Sequence, residues 1–398
     1  MAGPPVAAGA VLLDDAGRVV AAGTADEVPS PPGLPTTHFA ASVLLPGLVN
    51  THTHLELTGL AGALAESDFA EWIRRIIALK ATFGYDHFLA AAREGVRDCL
   101  AAGVTTIADT GDSGAVIEAL FEAGGSGIVY HEVFGPHPDQ CDESLAGLVR
   151  RVADRRRFTS DRIRIGVSPH APYTVSGPLY QAVARWARRE GLPMATHLSE
   201  PPGEVELFRS GTGSFADMWR RRGIPLPPHP LTPVEWLERH DALGPDLLCV
   251  HVVHAGEDDI ARLSRHDVPV AHCPLSNRAH AHGTAPIRAL LDAGLRIGCG
   301  TDSVVSVERL DLLAEARDAR RRAGLSAHAA LGLCTTSAAR ALGLESGIGS
   351  LEPGKWGDAA VVAARGGTTM DPLEAVLASG VGDVRATYIA GREVYRAA

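Results

Sequence analysis

The sequence alternates short apolar, β-branched runs with longer amphipathic stretches between about residues 43 and 342. Eight such runs are typical of buried strands; they end at "PGLVNTH", "GVTTIADT", "GIVYHEVFG", "IRIGVSPH", "LPMATHLSE", "DLLCVHVVH", "VPVAHCP" and "RIGCGTDS". The intervening stretches have helical periodicity, as in "DHFLAAAREGVRDCLAAG", "SGPLYQAVARWARREG", "GEDDIARLSRH" and "TAPIRALLDAG". Eight strand–helix units predict an α/β protein with a (β/α)8 barrel. A doubly wound sheet also alternates, but it usually carries a glycine-rich phosphate turn after its first strand, which is missing here.

Both chain ends and one connection depart from this alternation. Residues 1–42 and 345–398 have the pattern of short strands and turns. We expect the two ends to pair in a small β-sandwich beside a barrel of residues 43–344. Residues 203–240 form a long, proline-rich link between the fifth and sixth strands, where we expect a short helix or two over the barrel mouth.

Composition narrows the class of protein. The 398 residues are 45% hydrophobic and carry a net charge of −10, which gives no electrostatic reason to expect nucleic acid or an anionic membrane as a partner. No apolar segment is long enough to span a bilayer, and the N-terminus lacks the pattern of a secretion signal. The six cysteines are scattered, as expected for free thiols. We therefore expect a cytoplasmic protein.

Metal-binding and proton-transferring residue types collect at the predicted strand ends. In a parallel barrel the carboxyl ends of the strands carry the functional groups. Because side chains two apart on a strand point the same way, His52, His54 and Glu56 are expected to share one face. The other strand ends contribute His170, His197, Glu200, His251, His272 and Asp302.

Four of these residues form the predicted metal site, namely His52, His54, His197 and Asp302. Three imidazoles and a carboxylate suit one divalent ion, with Zn2+ preferred and Fe2+ as the alternative, and they leave room for a water molecule. A bound cation lowers the pKa of that water and makes hydroxide available as a nucleophile.

Two further residues are predicted to assist the reaction. A carboxylate at Glu200 could take the proton of the water and pass it to a leaving group. His251 could hold the nucleophile, and we prefer it to His254 because it lies nearer the strand.

The motifs "LPGLVNTHTHLEL", "SPHAPYTVS", "THLSE", "AHCPLSN", "GTDS" and "IGSLEPGKWGDAAVV" together resemble the amidohydrolase superfamily. The resemblance covers essentially the whole chain and is nearest to the cytosolic deaminase and chlorohydrolase branch. It implies that His52, His54, His197 and Asp302 bind one metal and that Glu200 and His251 transfer protons, with Asp302 also holding the nucleophile. It also implies a composite β-sandwich built from both chain ends.

The chain contains only two lysines, Lys80 and Lys355. Binuclear members of the superfamily bridge two metals with a carboxylated lysine at the end of the fourth strand, where this chain has "GVSPHAP". Neither lysine lies there, so we predict a mononuclear site.

Within the branch, the sequence most resembles the aminofutalosine deaminase group. This resemblance implies hydroxide attack at C6 of 6-amino-6-deoxyfutalosine, a nucleoside of the menaquinone pathway, with release of ammonia. We expect His170 to bind the purine and Ser303 to line the pocket, while Arg278, Arg74 and Arg75 are candidate partners for the substrate carboxylate. The full set of predicted substrate-binding residues is Glu56, Trp72, His170, His272, Arg278 and Ser303. Glu56 could equally orient a metal-binding histidine.

Other functions are compatible with the same motifs. Deamination of S-adenosylhomocysteine, methylthioadenosine or adenosine needs the same groups, and a triazine or guanine hydrolase needs only a different pocket. A catalytically inactive barrel that acts as a binding protein is a more remote alternative, because every expected ligand position is filled. We expect a small nucleoside-like substrate and no nucleic acid or membrane partner, and a homodimer is compatible with the sequence.

Overall fold

The computed structural model describes residues 3–64, 68–364 and 370–397. Within these residues it has fourteen strands: β1 (Gly9–Leu13), β2 (Val19–Thr24), β3 (Ser42–Pro46), β4 (Leu48–Thr53), β5 (Val104–Gly111), β6 (Gly127–Val133), β7 (Ile163–Pro169), β8 (Met194–Leu198), β9 (Leu247–His251), β10 (Val270–His272), β11 (Ile297–Cys299), β12 (Ala359–Ala363), β13 (Val384–Ile389) and β14 (Arg392–Arg396).

The same residues contain fifteen α-helices: α1 (Phe69–Lys80), α2 (Tyr85–Ala101), α3 (Ala115–Glu122), α4 (Cys141–Arg155), α5 (Gly177–Glu190), α6 (Pro202–Ser210), α7 (Gly213–Arg221), α8 (Pro233–Arg239), α9 (Glu257–Arg265), α10 (Pro274–Ala279), α11 (Ile287–Asp292), α12 (Leu312–Ala323), α13 (Ala327–Gly332), α14 (Thr336–Ala341) and α15 (Pro372–Leu377). Short 3-10 helices occur as well, including Leu55–Leu60 directly after β4.

Strands β4 to β11 form one parallel sheet in which each strand lies beside the next strand of the sequence. A backbone bridge between Thr53 and Asp302 brings the first strand to the end of the last and closes the sheet. This order confirms the predicted barrel and excludes the doubly wound alternative. The strands are buried on both faces, as in β5, where every residue is buried.

Local sequence explains where the helices begin and end. Helix α5 starts after Ser176 with a proline in its first turn and stops at Gly191, whose φ of 65° is the left-handed conformation that favours glycine. The long link between β8 and β9 contains three helices, α6, α7 and α8, rather than the one or two predicted. Gly211, also left-handed, ends α6, and the proline-rich segment 225–230 separates α7 from α8.

Strands from both chain ends pair beside the barrel, as predicted. Strand β3 pairs antiparallel with β12, from Ala359 against Pro46 to Ala363 against Ser42, in a four-stranded sheet with β13 and β14. The β1–β2 hairpin joins the C-terminal segment through a bridge between Arg18 and Trp356. The domain limits at 42/43 and 344/345 stay predictions. Among the described helices, none combines the length and apolar character needed to cross a bilayer.

Gly47 joins the end sheet to the first barrel strand, and we expect Gly47→Ala to lower the free energy of unfolding by about 1–3 kcal/mol. The added methyl group would overlap the Thr105 side chain, while the Gly47 amide must keep its 2.8 Å hydrogen bond to the Asp358 carbonyl. Urea unfolding measures the effect. Gly382→Ala is the control, because its methyl group would meet no atom within 4 Å; equal stability of the two variants would contradict this account.

Candidate active site at the barrel seam

The four predicted metal ligands meet at the carboxyl ends of three strands. His52 and His54 come from the end of β4, His197 from β8, and Asp302 from just after β11. The Nε2 atoms of His54 and His197 are 3.2 Å apart. Asp302 Oδ1 lies 3.7 Å from His52 Nε2 and 3.6 Å from His54 Nε2. Residues far apart in sequence therefore form one compact group of donors.

This donor group fits a single divalent ion. With metal–ligand bonds near 2.05 Å, the ligand atoms of a tetrahedral zinc site lie about 3.3 Å apart, close to the separations seen here. His52 Nε2 is buried and has no hydrogen-bond partner among the described residues. A buried nitrogen without a partner is costly in a folded protein, and a metal ion would satisfy it.

Neighbouring groups orient these side chains. His54 Nδ1 lies 3.3 Å from Thr110 Oγ1, and His197 Nδ1 lies 3.1 Å from the His170 carbonyl oxygen. The Ser276 hydroxyl donates to Asp302 Oδ2 at 2.5 Å. These hydrogen bonds fix the orientation of the two histidine rings and of the Asp302 carboxylate. The remaining nitrogen or oxygen of each side chain then faces the predicted ion site.

The backbone is strained at the point where the barrel closes. The amides of Thr301 and Asp302 both donate to the His52 carbonyl, at 3.1 and 3.0 Å. Asp302 has a φ of 59°, and His251 has a φ of 73°. Left-handed backbone at residues other than glycine costs free energy and is often found at functional sites. The strain here coincides with the donor cluster.

Glu200 lies between two imidazoles. His251 Nε2 and His282 Nε2 are each 3.4 Å from Glu200 Oε1, and all three side chains are buried. Burial alone would raise the pKa of Glu200, but His251 and His282 outweigh it and lower the pKa to about 2. The carboxylate is therefore ionised at neutral pH and can accept a proton.

His251, rather than His254, faces the donor cluster. Its Nδ1 lies 2.9 Å from Asn277 Oδ1, so Nδ1 carries the proton and Nε2 points towards Asp302 Oδ2, 4.0 Å away. The buried carboxylate of Glu204 accepts the amide protons of Ser199, at 3.0 Å, and Glu200, at 2.9 Å. This carboxylate fixes the turn that carries Glu200.

Glu56 does not reach the donor cluster. Strand β4 ends at Thr53 and continues as the 3-10 helix Leu55–Leu60, so the alternation of a strand stops before Glu56 and its side chain turns away. Its carboxylate pairs instead with Lys80 Nζ at 2.6 Å and accepts the Ser113 amide at 3.1 Å. The expectation that Glu56 shares the face of the two histidines is therefore wrong, and its contacts do not orient a metal-binding histidine.

Trp72 and His170 lie near the donor cluster. Trp72, on α1, stacks on Phe69 with ring centroids 5.6 Å apart, and the Phe69 ring meets the edge of His282 at 4.5 Å. These aromatic rings thus form a wall that leads to Glu200. The His170 ring lies 4.8 Å from that of His197.

The remaining predicted residues are not among the groups whose ligand atoms converge in the described part of the chain. His272 is buried against the barrel, and burial lowers its pKa to about 3. Arg278 pairs with Asp318 at 3.1 Å, and Ser303 Oγ accepts the Val305 amide within a turn. On α1, Arg74 and Arg75 both pair with Glu71. The predicted arginines therefore already have carboxylate partners within the chain.

Sequence reasoning missed several residues of the site. Ser276 and Asn277 belong to the "AHCPLSN" motif, which carried the resemblance without a role for its polar residues. His282 stands two residues after His280, in a chain rich in histidine, and this spacing repeats that of His52 and His54. Glu204 lies inside the long link and gives no sequence signal, because its role depends on the fold of the turn.

Comparison with known proteins places this site in a family. The profile of the amidohydrolase family matches residues 43–394. The chain therefore belongs to the amidohydrolase family, which confirms the resemblance inferred from its motifs.

Two deaminase sequences and one solved structure are similar to most of the chain. The chain is 33% identical over 334 residues to an aminodeoxyfutalosine deaminase of Deinococcus radiodurans, covering 81% of this chain and 78% of the relative. It is 32% identical over 404 aligned positions to a 5-methylthioadenosine/S-adenosylhomocysteine deaminase of Symbiobacterium thermophilum, covering 97% and 88%. A zinc-bound adenosine deaminase structure from Xanthomonas campestris superposes with a TM-score of 0.81 at 25% identity, covering 97% of this chain and 88% of that one.

We expect Lys80→Met to destabilise the fold by about 3–5 kcal/mol, because it leaves the buried Glu56 carboxylate without its cation. Lys80 Nζ also contacts Asp112 Oδ1 at 2.5 Å, and its side chain is only 21% exposed. Urea unfolding gives the difference. The control is Lys355→Met, which removes the other lysine from a pair with the half-exposed Glu352 and should cost about 1 kcal/mol or less. If both variants lost a similar amount of unfolding free energy, the buried Lys80–Glu56 pair would contribute no more than the exposed pair.

Proposed function

We propose that this chain is a metal-dependent deaminase that hydrolyses the 6-amino group of a purine nucleoside, with 6-amino-6-deoxyfutalosine as the substrate. Membership of the amidohydrolase family makes the chain a hydrolase that acts on C–N bonds. The observation that carries the proposal is the position of Glu200, a buried carboxylate beside His251 at the edge of a three-histidine, one-aspartate cluster. A proton acceptor next to a metal site is what hydrolytic deamination requires.

We assign His52, His54, His197 and Asp302 as ligands of one divalent ion, preferably zinc. Such an ion would lower the pKa of a water molecule towards neutrality. Glu200 takes a proton from the attacking water and delivers it to the ring nitrogen next to C6. His251 Nε2 and Asp302 Oδ2 accept the other hydrogen of the water and so orient its oxygen as it bonds to that carbon. Cleavage of the C6–N bond, with transfer of a second proton to the amino group, then releases ammonia.

The choice of substrate is supported by the relatives and by the pocket wall. The Deinococcus relative is named an aminodeoxyfutalosine deaminase, and the Symbiobacterium relative is named for two other adenine nucleosides. All three substrates present the same 6-aminopurine ring. The rings of Phe69, Trp72 and His282 offer an aromatic surface beside Glu200 for such a base. Methylthioadenosine or S-adenosylhomocysteine is the second candidate, since that relative aligns with almost the whole chain.

We expect Glu200→Gln to lower kcat by about 10²–10⁴-fold, because the amide cannot accept the proton of the water. Metal content should stay at the wild-type level, since Glu200 is not among the assigned ligands. Steady-state kinetics and elemental analysis measure the two quantities. Glu206→Gln makes the same change on the exposed face of α6 and should leave kcat unaltered. Normal turnover by Glu200→Gln would refute the assigned role.

A substrate panel tests the proposed function itself. Purified protein of measured metal content is assayed by ultraviolet absorbance and ammonia release with aminodeoxyfutalosine, S-adenosylhomocysteine, methylthioadenosine, adenosine, guanine and a chlorotriazine. We expect the highest kcat/KM for aminodeoxyfutalosine. A preference for methylthioadenosine or S-adenosylhomocysteine would select the second candidate. Activity on guanine or the triazine alone, or on none of the six compounds, would overturn the nucleoside deaminase proposal.

The menaquinone pathway, the cytoplasmic location and the homodimer stay predictions. We also propose a mononuclear centre, because strand β7 ends at Pro169 and is followed by His170, where a bridging lysine would be needed. Elemental analysis of the wild-type protein should find about one metal ion per chain.

A further inference from the structure

Glu132 is a buried carboxylate at the mouth of the barrel. It is the second-last residue of β6 and is 4% exposed. Its Oε1 is buried and accepts no hydrogen bond from any residue that the structure describes. The nearest imidazole nitrogen, His170 Nε2, is 4.0 Å away. Ligand atoms of Glu132, His170 and His197 lie within 4.8 Å of one another, so the carboxylate faces the donor cluster.

Other buried carboxylates of the barrel accept at least one hydrogen bond, although Asp109 Oδ1 also has no partner among the described residues. Asp109 accepts the Leu55 amide at 2.7 Å and the Thr53 hydroxyl at 2.8 Å. Glu204 accepts two amides, and Glu315 accepts the Leu275 amide at 3.0 Å. Burying a carboxylate without such bonds is costly, and packing alone would favour an apolar residue. Glu132 is therefore better explained by a ligand than by the fold.

The surroundings of Glu132 indicate the chemistry of that ligand. Lys80, the cation whose charge acts on the Glu132 carboxylate, is already held by the carboxylates of Glu56 and Asp112. An anionic group would thus meet an excess of negative charge here, whereas a hydroxyl group can donate a hydrogen bond to the carboxylate. His170 keeps 19% of its side chain exposed and can contact the same ligand.

We propose that Glu132 accepts hydrogen bonds from the pentose hydroxyls of a nucleoside substrate and so determines specificity for ribonucleosides. This inference rests on the proposed function, which places the purine C6 at the cluster of His52, His54, His197 and Asp302. Glu132 lies to one side of that cluster, two strands away from the strand that carries His197. The sugar is the part of a nucleoside that extends beyond the reacting ring. Two adjacent hydroxyls there could contact Glu132 and His170 together.

A second metal ion is the rival explanation for the group of Glu132, His170 and His197. It is disfavoured because His197 Nε2 already lies 3.2 Å from His54 Nε2, within the first cluster. His197 Nδ1 is directed to the His170 carbonyl oxygen. Without His197, a second metal ion would have only Glu132 and His170 as ligands from this group.

The test compares adenosine with 2′-deoxyadenosine and 3′-deoxyadenosine on the wild type, Glu132→Gln and Glu132→Ala. Wild-type kcat/KM should fall by about 10- to 100-fold when the contacted hydroxyl is missing, as for the loss of a hydrogen bond to a charged group. In Glu132→Ala, kcat/KM for adenosine should fall by a similar factor. Its kcat/KM for the deoxynucleoside that lacks the contacted hydroxyl should change little. The preference for the ribonucleoside would then disappear, which a purely structural role cannot produce.

Glu315→Gln is the control for removing a buried carboxylate. It should leave the ratio of kcat/KM for adenosine to kcat/KM for the deoxynucleosides unchanged, whatever its effect on stability. Equal losses with all nucleosides in both Glu132 variants would overturn the inference while leaving the deaminase proposal intact. A fall in bound metal from two ions to one in Glu132→Ala would also overturn it in favour of the second metal site. If the wild type hydrolyses no nucleoside, the proposed function fails and this inference fails with it.

Discussion

The site depends on the hydrogen bonds that close the barrel. The amides of Thr301 and Asp302 donate to the His52 carbonyl, and these bonds join the last strand to the first. They set the distance between the Asp302 carboxylate and the imidazoles of His52 and His54. The left-handed backbone at Asp302 is tolerated because the closed sheet holds it from both sides. Closure of the fold and assembly of the site are thus one structural event.

Near the point where the barrel closes, buried polar residues hold the side chains of the site in place by hydrogen bonds. Asn277 holds the ring of His251, and Ser276 holds the carboxylate of Asp302. Glu204 fixes the turn that presents Glu200 to two histidines. Since buried polar groups are stable only when their hydrogen bonds are made, these contacts leave the side chains of His251, Asp302 and Glu200 few alternative orientations. The position of Glu200 therefore depends on Glu204, which lies behind it in the turn.

The sequence predicted the barrel because its signal is periodic and repeats eight times. The convergence of His52, His54, His197 and Asp302 followed from a geometric rule, since the carboxyl ends of parallel strands meet at one edge. The expectation for Glu56 failed because it assumed that β4 continued beyond Thr53. The predicted arginines have other carboxylate partners. Glu71 pairs with Arg74 and Arg75 at helical spacing within α1, which the sequence could have indicated. The partner of Arg278, Asp318, is recognisable only once α10 and α12 are packed. Asn277 stands in a recognisable motif and His282 at a suggestive spacing, but their partners are set by tertiary contacts, and Glu204 gives no local signal at all.

The pairing of β3 with β12 has a consequence for the order in which the protein can fold during synthesis. Strand β3 finds its neighbour only after residues 359–363 have been made, long after β3 itself and after all eight barrel strands. Until then its apolar residues, Val43 and Leu45 among them, have no sheet to join. Unpaired strand edges of this kind are prone to aggregation. The nascent chain thus carries an exposed edge for most of its translation, and chaperones that bind extended apolar segments are the natural protection for it.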